Sequence, residues 1–398
     1  MGTVGSPSVL DLFAGPGGLG EGFSQAGYFI TAAVDNDKYA AETLTQNAGK
    51  RGTTVINNDL RKLNLSGQVD VIVGGPPCQG FSMVGRSKIR QLRKKAGKSR
   101  VVDKRNSLYK HFVRAVSSIK PQFFVMENVP GIFSYRKGRI AEDIIKSCVA
   151  VGYKTSVRVL NAADYGVPQV RKRAFFIGNR LGIDNPFPSP THGNFSQPSQ
   201  LTLDEVRVLR HHVTVKDAIS DLPPLEPRGG RDEASYPPAG KLSEYQEWAR
   251  AGSTTLYNHV ARFHSPRDRR IFRLLEEGQK MVDLPKGERP PYRDDIFGDK
   301  IKKQSWNKPS SAILAHLQKD GLMYVHPDSQ QARTFTPREA ARLQSFPDTY
   351  RFYGPMTQQF RQIGNAVPPL LAKSIALSIR PHLRPAERPM VHYDLLTV

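Results

Sequence analysis

Val71-Ile72-Val73-Gly74-Gly75-Pro76-Pro77-Cys78-Gln79-Gly80-Phe81-Ser82 is an apolar, β-branched run that ends in two glycines and two prolines. Its composition predicts a buried strand, and Gly-Gly-Pro-Pro stops that strand abruptly. Cys78 is thereby handed to the loop at the strand's carboxyl end. Ligands and chemistry collect at that edge of an open α/β sheet, and a thiol on a rigid Pro-Pro turn can be aimed. A lone free cysteine is most often only a small buried hydrophobe, so Cys78 takes its meaning from its neighbours.

Upstream, Ser8-Val9-Leu10-Asp11-Leu12-Phe13 reads as a first strand and Ala14-Gly15-Pro16-Gly17-Gly18-Leu19-Gly20 as a glycine loop opening a helix. Gly15, Gly17 and Gly20 fit G-x-G-x-x-G, and Asp35 closes a second strand, Phe29 to Val34. This is the layout of a nucleotide-type cofactor site: the glycines admit the ligand to the backbone and the carboxylate binds a ribose diol. It suits NAD as well as S-adenosylmethionine. Further strands are predicted at Thr54 to Asn57, ending near Asp59, at Val69 to Val73, at Phe123 to Met126 and at Ala174 to Gly178, with a helix over Leu108 to Ile119. Such alternation predicts a mostly parallel sheet with helices on both faces. Asp35, Asp59, Cys78 and the glycine loop then share one rim.

The chain of 398 residues allows two or three domains. Two cysteines, Cys78 and Cys148, form no disulfide framework, and no Cys/His cluster has zinc spacing, so a reducing compartment and no metal are expected. No stretch reads as a signal peptide or membrane span, and no membrane association is expected. Lysine and arginine number 58 against 36 acids, a net charge of +22, which points to a polyanionic partner such as nucleic acid. The charge is clustered. Between Gly85 and Arg105 lie ten basic residues, among them Arg93, Lys94 and Lys95, with Asp103 the only acid; a loop so near Cys78 is expected to close over nucleic acid and touch phosphates.

After Gly178 prolines, glycines and polar residues become dense, most of all from Asp221 to Gly240. A boundary is expected near residue 185, with a second domain over 185–359 and the first, 1–184, completed by 360–398. Within the second domain, Arg269, Arg270 and Arg273 lie opposite Ile271, Leu274 and Leu275 on a predicted helix, where they could grip a backbone or simply be solvated. Pro337 with Glu339 behind it marks another helix start.

Glu127 follows the strand Phe123 to Met126 and so emerges on the rim of Cys78; it is either a general acid/base or a helix cap beside a salt bridge. Gln169-Val170-Arg171-Lys172-Arg173 enters a strand, and alternation puts Gln169, Arg171 and Arg173 on one face. Two arginines there could hold a carboxylate, lower a thiol pKa, meet a phosphate, or merely be solvated.

The ordered set Asp11-Leu12-Phe13-Ala14-Gly15, Pro76-Pro77-Cys78-Gln79, Glu127-Asn128-Val129, Gln169-Val170-Arg171-Lys172-Arg173, Arg338-Glu339-Ala340-Ala341-Arg342-Leu343-Gln344 and Gln362-Ile363-Gly364-Asn365-Ala366-Val367 resembles the motif series of DNA (cytosine-5) methyltransferases. The likeness covers about residues 8 to 178 and 333 to 380. It implies a Rossmann-like α/β sheet binding S-adenosylmethionine, with a smaller target recognition domain between the motifs. Carried over by position, it implies that Phe13, Gly15, Gly17, Asp35, Asn36, Asp59 and Pro77 surround the cofactor and that Asn365 and Val367 complete the pocket. Cys78 would attack C6 of a flipped cytosine, Glu127 would hold N3 and the amine, Arg173 would fix Glu127, and Arg171 would lie near the thiol. Gln79, Ser82, Arg93, Lys94 and Lys95 are the expected DNA contacts.

This chain departs from the family in a long cationic loop after Ser82 and in Asn36, where some relatives carry an aromatic residue. No regulatory region is expected before the glycine loop, unlike in a large eukaryotic maintenance enzyme. The implied source is a prokaryotic restriction–modification system or a solitary methylase. The protein is then a cytoplasmic, nucleoid-associated monomer acting on double-stranded DNA, with a cognate endonuclease encoded alongside but not stably bound. A nicotinamide oxidoreductase would have no use for Cys78, Glu127 and the arginine strand together. The transfer-RNA branch of the family carries a Cys-Phe-Thr signature that is absent here, and a non-catalytic DNA-binding protein would not be expected to keep the whole set.

Overall fold

The β-branched runs and amphipathic stretches of the first half alternate as strands and helices. The computed structural model describes residues 5–77, 107–134, 138–193, 209–238, 240–289, 299–384 and 390–396. The chain folds into two compact units, Met1–Asn161 with Lys172–Ser189 and Leu371–Val398, and Ala162–Arg171 with Pro190–Leu370. The expected division at 185 and 360 differs from this at both ends of the second unit, which also takes in residues 162–171 and 360–370.

The first unit runs Ser8–Leu12 (β1), Gly18–Gln25 (α1), Phe29–Asp35 (β2), Lys38–Asn47 (α2), Thr54–Asn57 (β3), Leu63–Gln68 (β4), Val71–Gly74 (β5), Leu108–Ile119 (α3), Phe123–Asn128 (β6), Arg139–Ala150 (α4), Lys154–Asn161 (β7), Lys172–Asn179 (β8) and Met390–Leu395 (β9). Seven of these strands form one sheet in the order β3-β2-β1-β5-β6-β8-β7. The pairs from β3 to β6 are parallel, whereas β8 is antiparallel to both β6 and β7. Every residue of β1 and of β5 is buried, as two-sided coverage by helices requires of a continuous apolar run. One face is packed by Phe112, Val113 and Val116 of α3 with Ile144 and Cys148 of α4. On α1, Phe23 meets Tyr28 edge to face at 5.0 Å. The end of the chain returns here: the Tyr28 hydroxyl donates to the Ala376 carbonyl at 2.8 Å and Arg380 to that of Ala26 at 2.9 Å.

Sheet order places the site. From β1 the chain first builds outward to β2 and β3, then crosses to β5 and β6 on the other side. The order thus reverses between β1 and β5, and the crevice outside the carboxyl ends of those two strands is where an open sheet binds its ligand.

The second unit is built from short helices with well-made starts. Thr214 caps Val215–Ile219, Ser243 caps Glu244–Arg250, and Thr336 caps Pro337–Leu343, each with a reciprocal bond from the third residue of the helix. Its apolar core, which includes Leu256, Ile313, Phe335, Phe346 and Phe360, surrounds a buried polar centre. There Arg333 reaches both oxygens of Glu339 at 2.7 and 2.8 Å, and Arg342 meets Asp348 at 2.6 Å. Among the described residues no helix is long and apolar enough to cross a membrane.

Candidate functional site

Phe13, Asp35, Gly75 and Glu127 each stand one residue beyond a single register line, Leu12 beside Val34 and Gly74, and Gly74 beside Met126. They therefore emerge on the same rim of the first unit. After β1 the backbone turns left-handed at Phe13 (φ 54°), Gly15 (φ 55°) and Gly17 (φ 89°) before α1 begins. A non-glycine residue held there is strained, as residues at ligand sites often are. Nothing lies within 4 Å of where a β-carbon on Gly15 would project, so the loop leaves open space beside its backbone. The Gly15 N–H donates to one oxygen of Asp35 at 2.8 Å and the Asp37 N–H to the other at 2.8 Å. Asp35 is thus pinned against the glycine loop by backbone donors on both oxygens. Open backbone beside a fixed carboxylate fits a ribose-bearing cofactor.

Asn36 follows Asp35, and Asp59 lies beyond β3. The Asp59 carboxylate accepts from the Arg61 Nε at 2.9 Å, and this bond holds it below the usual carboxylate range. Arg61 is half exposed, and such a pair is weak enough to yield to a ligand. Pro77 is exposed at the end of the described stretch.

Glu127 and Arg173 come together as expected. Arg173 Nε lies 2.8 Å from Glu127 Oε1, with both side chains largely buried. The antiparallel pairing of β6 with β8 sets Asn128 beside Ala174 and so brings the two side chains together. Burial pulls the Arg173 guanidinium below its usual value while Glu127 opposes that shift. A β-carbon on Gly75 would stand 3.3 Å from Glu127 Oε2, so this glycine lets the carboxylate lie against the loop leading to the thiol. Cys78, Gln79, Ser82, Arg93, Lys94 and Lys95 lie outside the described residues. Cys148 is fully buried, and burial pushes its thiol up to about 12.

Gln169 and Arg171 are buried while Val170 and Lys172 are exposed, the alternation expected of them, although strand pairing is interrupted at Arg171. Gln169–Val170 pairs with Ser310–Ser311 in the second unit, whereas Arg173 sits in β8 of the first. Arg171 is buried and donates to the carbonyls of Ile313 at 2.5 Å, Ala366 at 2.9 Å and Gly364 at 3.1 Å. Beside it, Gln169 donates to the carbonyl of Leu343 at 2.6 Å and accepts from the N–H of Ile313 at 3.0 Å. Three motifs far apart in sequence thus meet at one polar node, and Arg171 satisfies backbone there. Asn365 is exposed at the end of the helix Met356–Asn365 and Val367 is buried, both in the second unit.

One rim residue escaped the sequence reading. Asp11 is buried in β1, and one of its oxygens accepts from the Gly20 N–H at 3.0 Å, anchoring the first turn of α1. Burial pushes its carboxyl up to about 8. A single acid inside a wholly apolar strand was the available signal.

The family model for C-5 cytosine-specific DNA methylase matches residues 8–380. Type II methyltransferase M.DdeI of Desulfomicrobium norvegicum is 38% identical, over 93% of this chain and 87% of its own length. Type II methyltransferase M.AgeI of Thalassovita gelatinovora is 35% identical, over 94% and 99%. A solved prophage-encoded protein of E. coli, described as a DNA modification methyltransferase, is 28% identical with a TM-score of 0.68, covering 94% of this chain and 99% of that one. The S. pombe Dnmt2 methyltransferase, 17% identical with a TM-score of 0.53, shows the fold alone. With a family match over nearly its whole length and a parallel sheet carrying Gly15, Asp35 and the Glu127–Arg173 pair on one rim, the chain belongs to the C-5 cytosine-specific DNA methylase family and is a DNA (cytosine-5-)-methyltransferase.

Proposed function

We propose that the protein transfers the methyl group of S-adenosylmethionine to carbon 5 of a cytosine flipped out of duplex DNA, within a short sequence, through a covalent adduct on Cys78. The observation that carries this reading is the Glu127–Arg173 pair beside Gly75, three residues before the thiol. Phe13, Gly15, Gly17, Asp35, Asn36, Asp59 and Pro77 would hold the cofactor, and we assign Asn365 and Val367 to the same task. When bound, it supplies an electrophilic methyl group; no metal takes part.

Cytosine C5 is a poor nucleophile in the aromatic ring. Loss of the Cys78 proton to solvent gives a thiolate that adds to C6, and the ring electrons move toward C5 and N3 while a proton shared between Glu127 and N3 stabilises the developing charge. C5 then takes the methyl carbon, whose bond to sulfur breaks with the pair staying on sulfur. Loss of the C5 proton returns electrons to the ring and expels the thiolate. Arg173 keeps Glu127 aimed throughout. Extruding the base costs a few kcal/mol, which DNA contacts must offset; Gln79, Ser82, Arg93, Lys94 and Lys95 are the residues we assign to this task near the thiol.

The relatives' names as type II methyltransferases support a protective role beside a cognate restriction endonuclease; we assign the methyltransferase the state of a cytoplasmic monomer. The test uses a duplex carrying 5-fluorocytosine, whose fluorine cannot leave C5 as the proton does. Wild-type protein with S-adenosylmethionine should form an adduct stable to denaturing gels, and Cys78→Ala should form none. An adduct on the variant would overturn the nucleophile assignment.

A further inference from the structure

Helix Pro266–Leu274 of the second unit buries Ile271 and Phe272 and turns Arg267, Arg270 and Arg273 to solvent. At 3.6 residues per turn these three cover an arc of about 120° on the side away from the core. Arg269 lies outside that arc and pairs with Glu226 at 3.1 Å. The helix's one acid, Asp268, is engaged with its cap, accepting from the Ser265 hydroxyl at 2.7 Å. The charged residues of the helix exposed on that arc are arginines, with Pro266 and Leu274 exposed among them.

Just before the helix, Phe263 is 57% exposed, and the Arg228 guanidinium stands 4.3 Å from its ring centroid. Arg228 adopts a left-handed backbone (φ 69°), and its N–H donates to the Arg262 carbonyl at 3.4 Å. For a residue other than glycine that conformation is disfavoured. A guanidinium stacked on a ring keeps its in-plane N–H donors directed outward, ready for a two-pronged bond to an anion. Exposed arginines on one face raise the local concentration of a polyanion.

We propose that Arg228, Arg267, Arg270 and Arg273, with Phe263 holding Arg228 in place, form a phosphate-contacting surface that grips duplex DNA whatever its sequence. This rests on the DNA methyltransferase reading above and names residues of the second unit that serve it. Phosphate contacts position the protein and leave base reading to other residues.

The test measures duplex affinity of the full chain across a salt series. Each phosphate contact contributes about 0.9 to the slope of log affinity against log salt, so the triple variant Arg267→Ala, Arg270→Ala, Arg273→Ala should flatten that slope by about 2.7. The loss should be equal on duplexes of unrelated sequence. A charge-matched control, Lys50→Ala with Lys110→Ala and Lys146→Ala, removes three exposed cations from the first unit and should leave the slope near that of wild type. Phe263→Ala should weaken binding several-fold at low salt with an unchanged melting curve. An unaltered slope in the arginine variant, or an equal change in the control, overturns the surface even where wild-type protein methylates duplex DNA. Absence of methyl transfer by the wild type would instead overturn the reading beneath it, and the slope would still report on the surface.

Discussion

Asp11 and Glu127 show what single acids do in this fold. Asp11 keeps its proton up to about 8, whereas in the unfolded chain it ionises near 3.8. Between those values the unfolded state releases a proton that the folded state holds, so this residue lowers stability as pH rises from about 4 to 8 and is neutral in effect below that window. One of its oxygens has no hydrogen-bond partner among the described residues. Asp11→Asn keeps an acceptor for the Gly20 N–H and removes the titration. Urea midpoints of the full chain at pH 5.5 and 8 should fall in the wild type and change less in the variant, by a difference on the order of a few kcal/mol at most. Parallel pH curves would refute the assignment. Glu127 has a different task. Glu127→Gln loses the charge that Arg173 orients, and kcat for methyl transfer should drop by about 10²–10³ while cofactor affinity measured by calorimetry stays within about twofold.

At the scale of elements, the helix Pro337–Leu343 carries the largest buried charge network. Glu339 accepts from Arg333 and from the Thr336 N–H at 2.7 Å, and these partners with neighbouring histidines hold its carboxyl far below the usual range despite burial. Glu339→Gln strands the Arg333 guanidinium in the core and should cost about 3–5 kcal/mol of stability, read as a lower melting temperature. Gly364 in the helix Met356–Asn365 is packed differently: a β-carbon there would stand 2.2 Å from the Ala315 nitrogen. Gly364→Ala should therefore destabilise by about 1–3 kcal/mol or more, through backbone displacement that no rotamer can relieve. The strands β1, β2, β3, β5 and β6 and the helix α3 were legible in the sequence because each is a period-2 or period-3.6 pattern closed by glycine, proline or a capping acid. The antiparallel β7 and the pairing of β9 with β4 were not. Lys154–Asn161 is only partly buried and mixes polar with apolar residues, and Met390–Leu395 is largely exposed although mostly apolar, so hydrogen-bond pairing with distant chain decides them rather than local pattern. The alternation from Gln169 to Arg173 was legible as well, with Gln169 and Arg171 buried and Val170 and Lys172 exposed; only the interruption of strand pairing at Arg171 had no local signal.

Across the whole molecule, sequence order and spatial order part company. Residues 162–171 leave the first unit, and Leu371 onward returns to it. A composition boundary could mark the change of character after Gly178 but not these crossings, because ten residues carry too little pattern to announce them. The rim itself was readable, since Asp35 and Glu127 each end an apolar strand in a sheet whose register puts strand ends in line. The net charge of +22 belongs to this scale too, and it predicts that association with duplex DNA weakens steeply as salt rises. The central claim is one reaction at one carbon. The direct measurement is transfer of labelled methyl from S-adenosylmethionine to duplex DNA and, in parallel, to transfer RNA, followed by nucleoside analysis of the products. The account predicts label in 5-methyldeoxycytidine within one short duplex motif, lost in Cys78→Ala. Label on an exocyclic amine, or on transfer RNA alone, would contradict it.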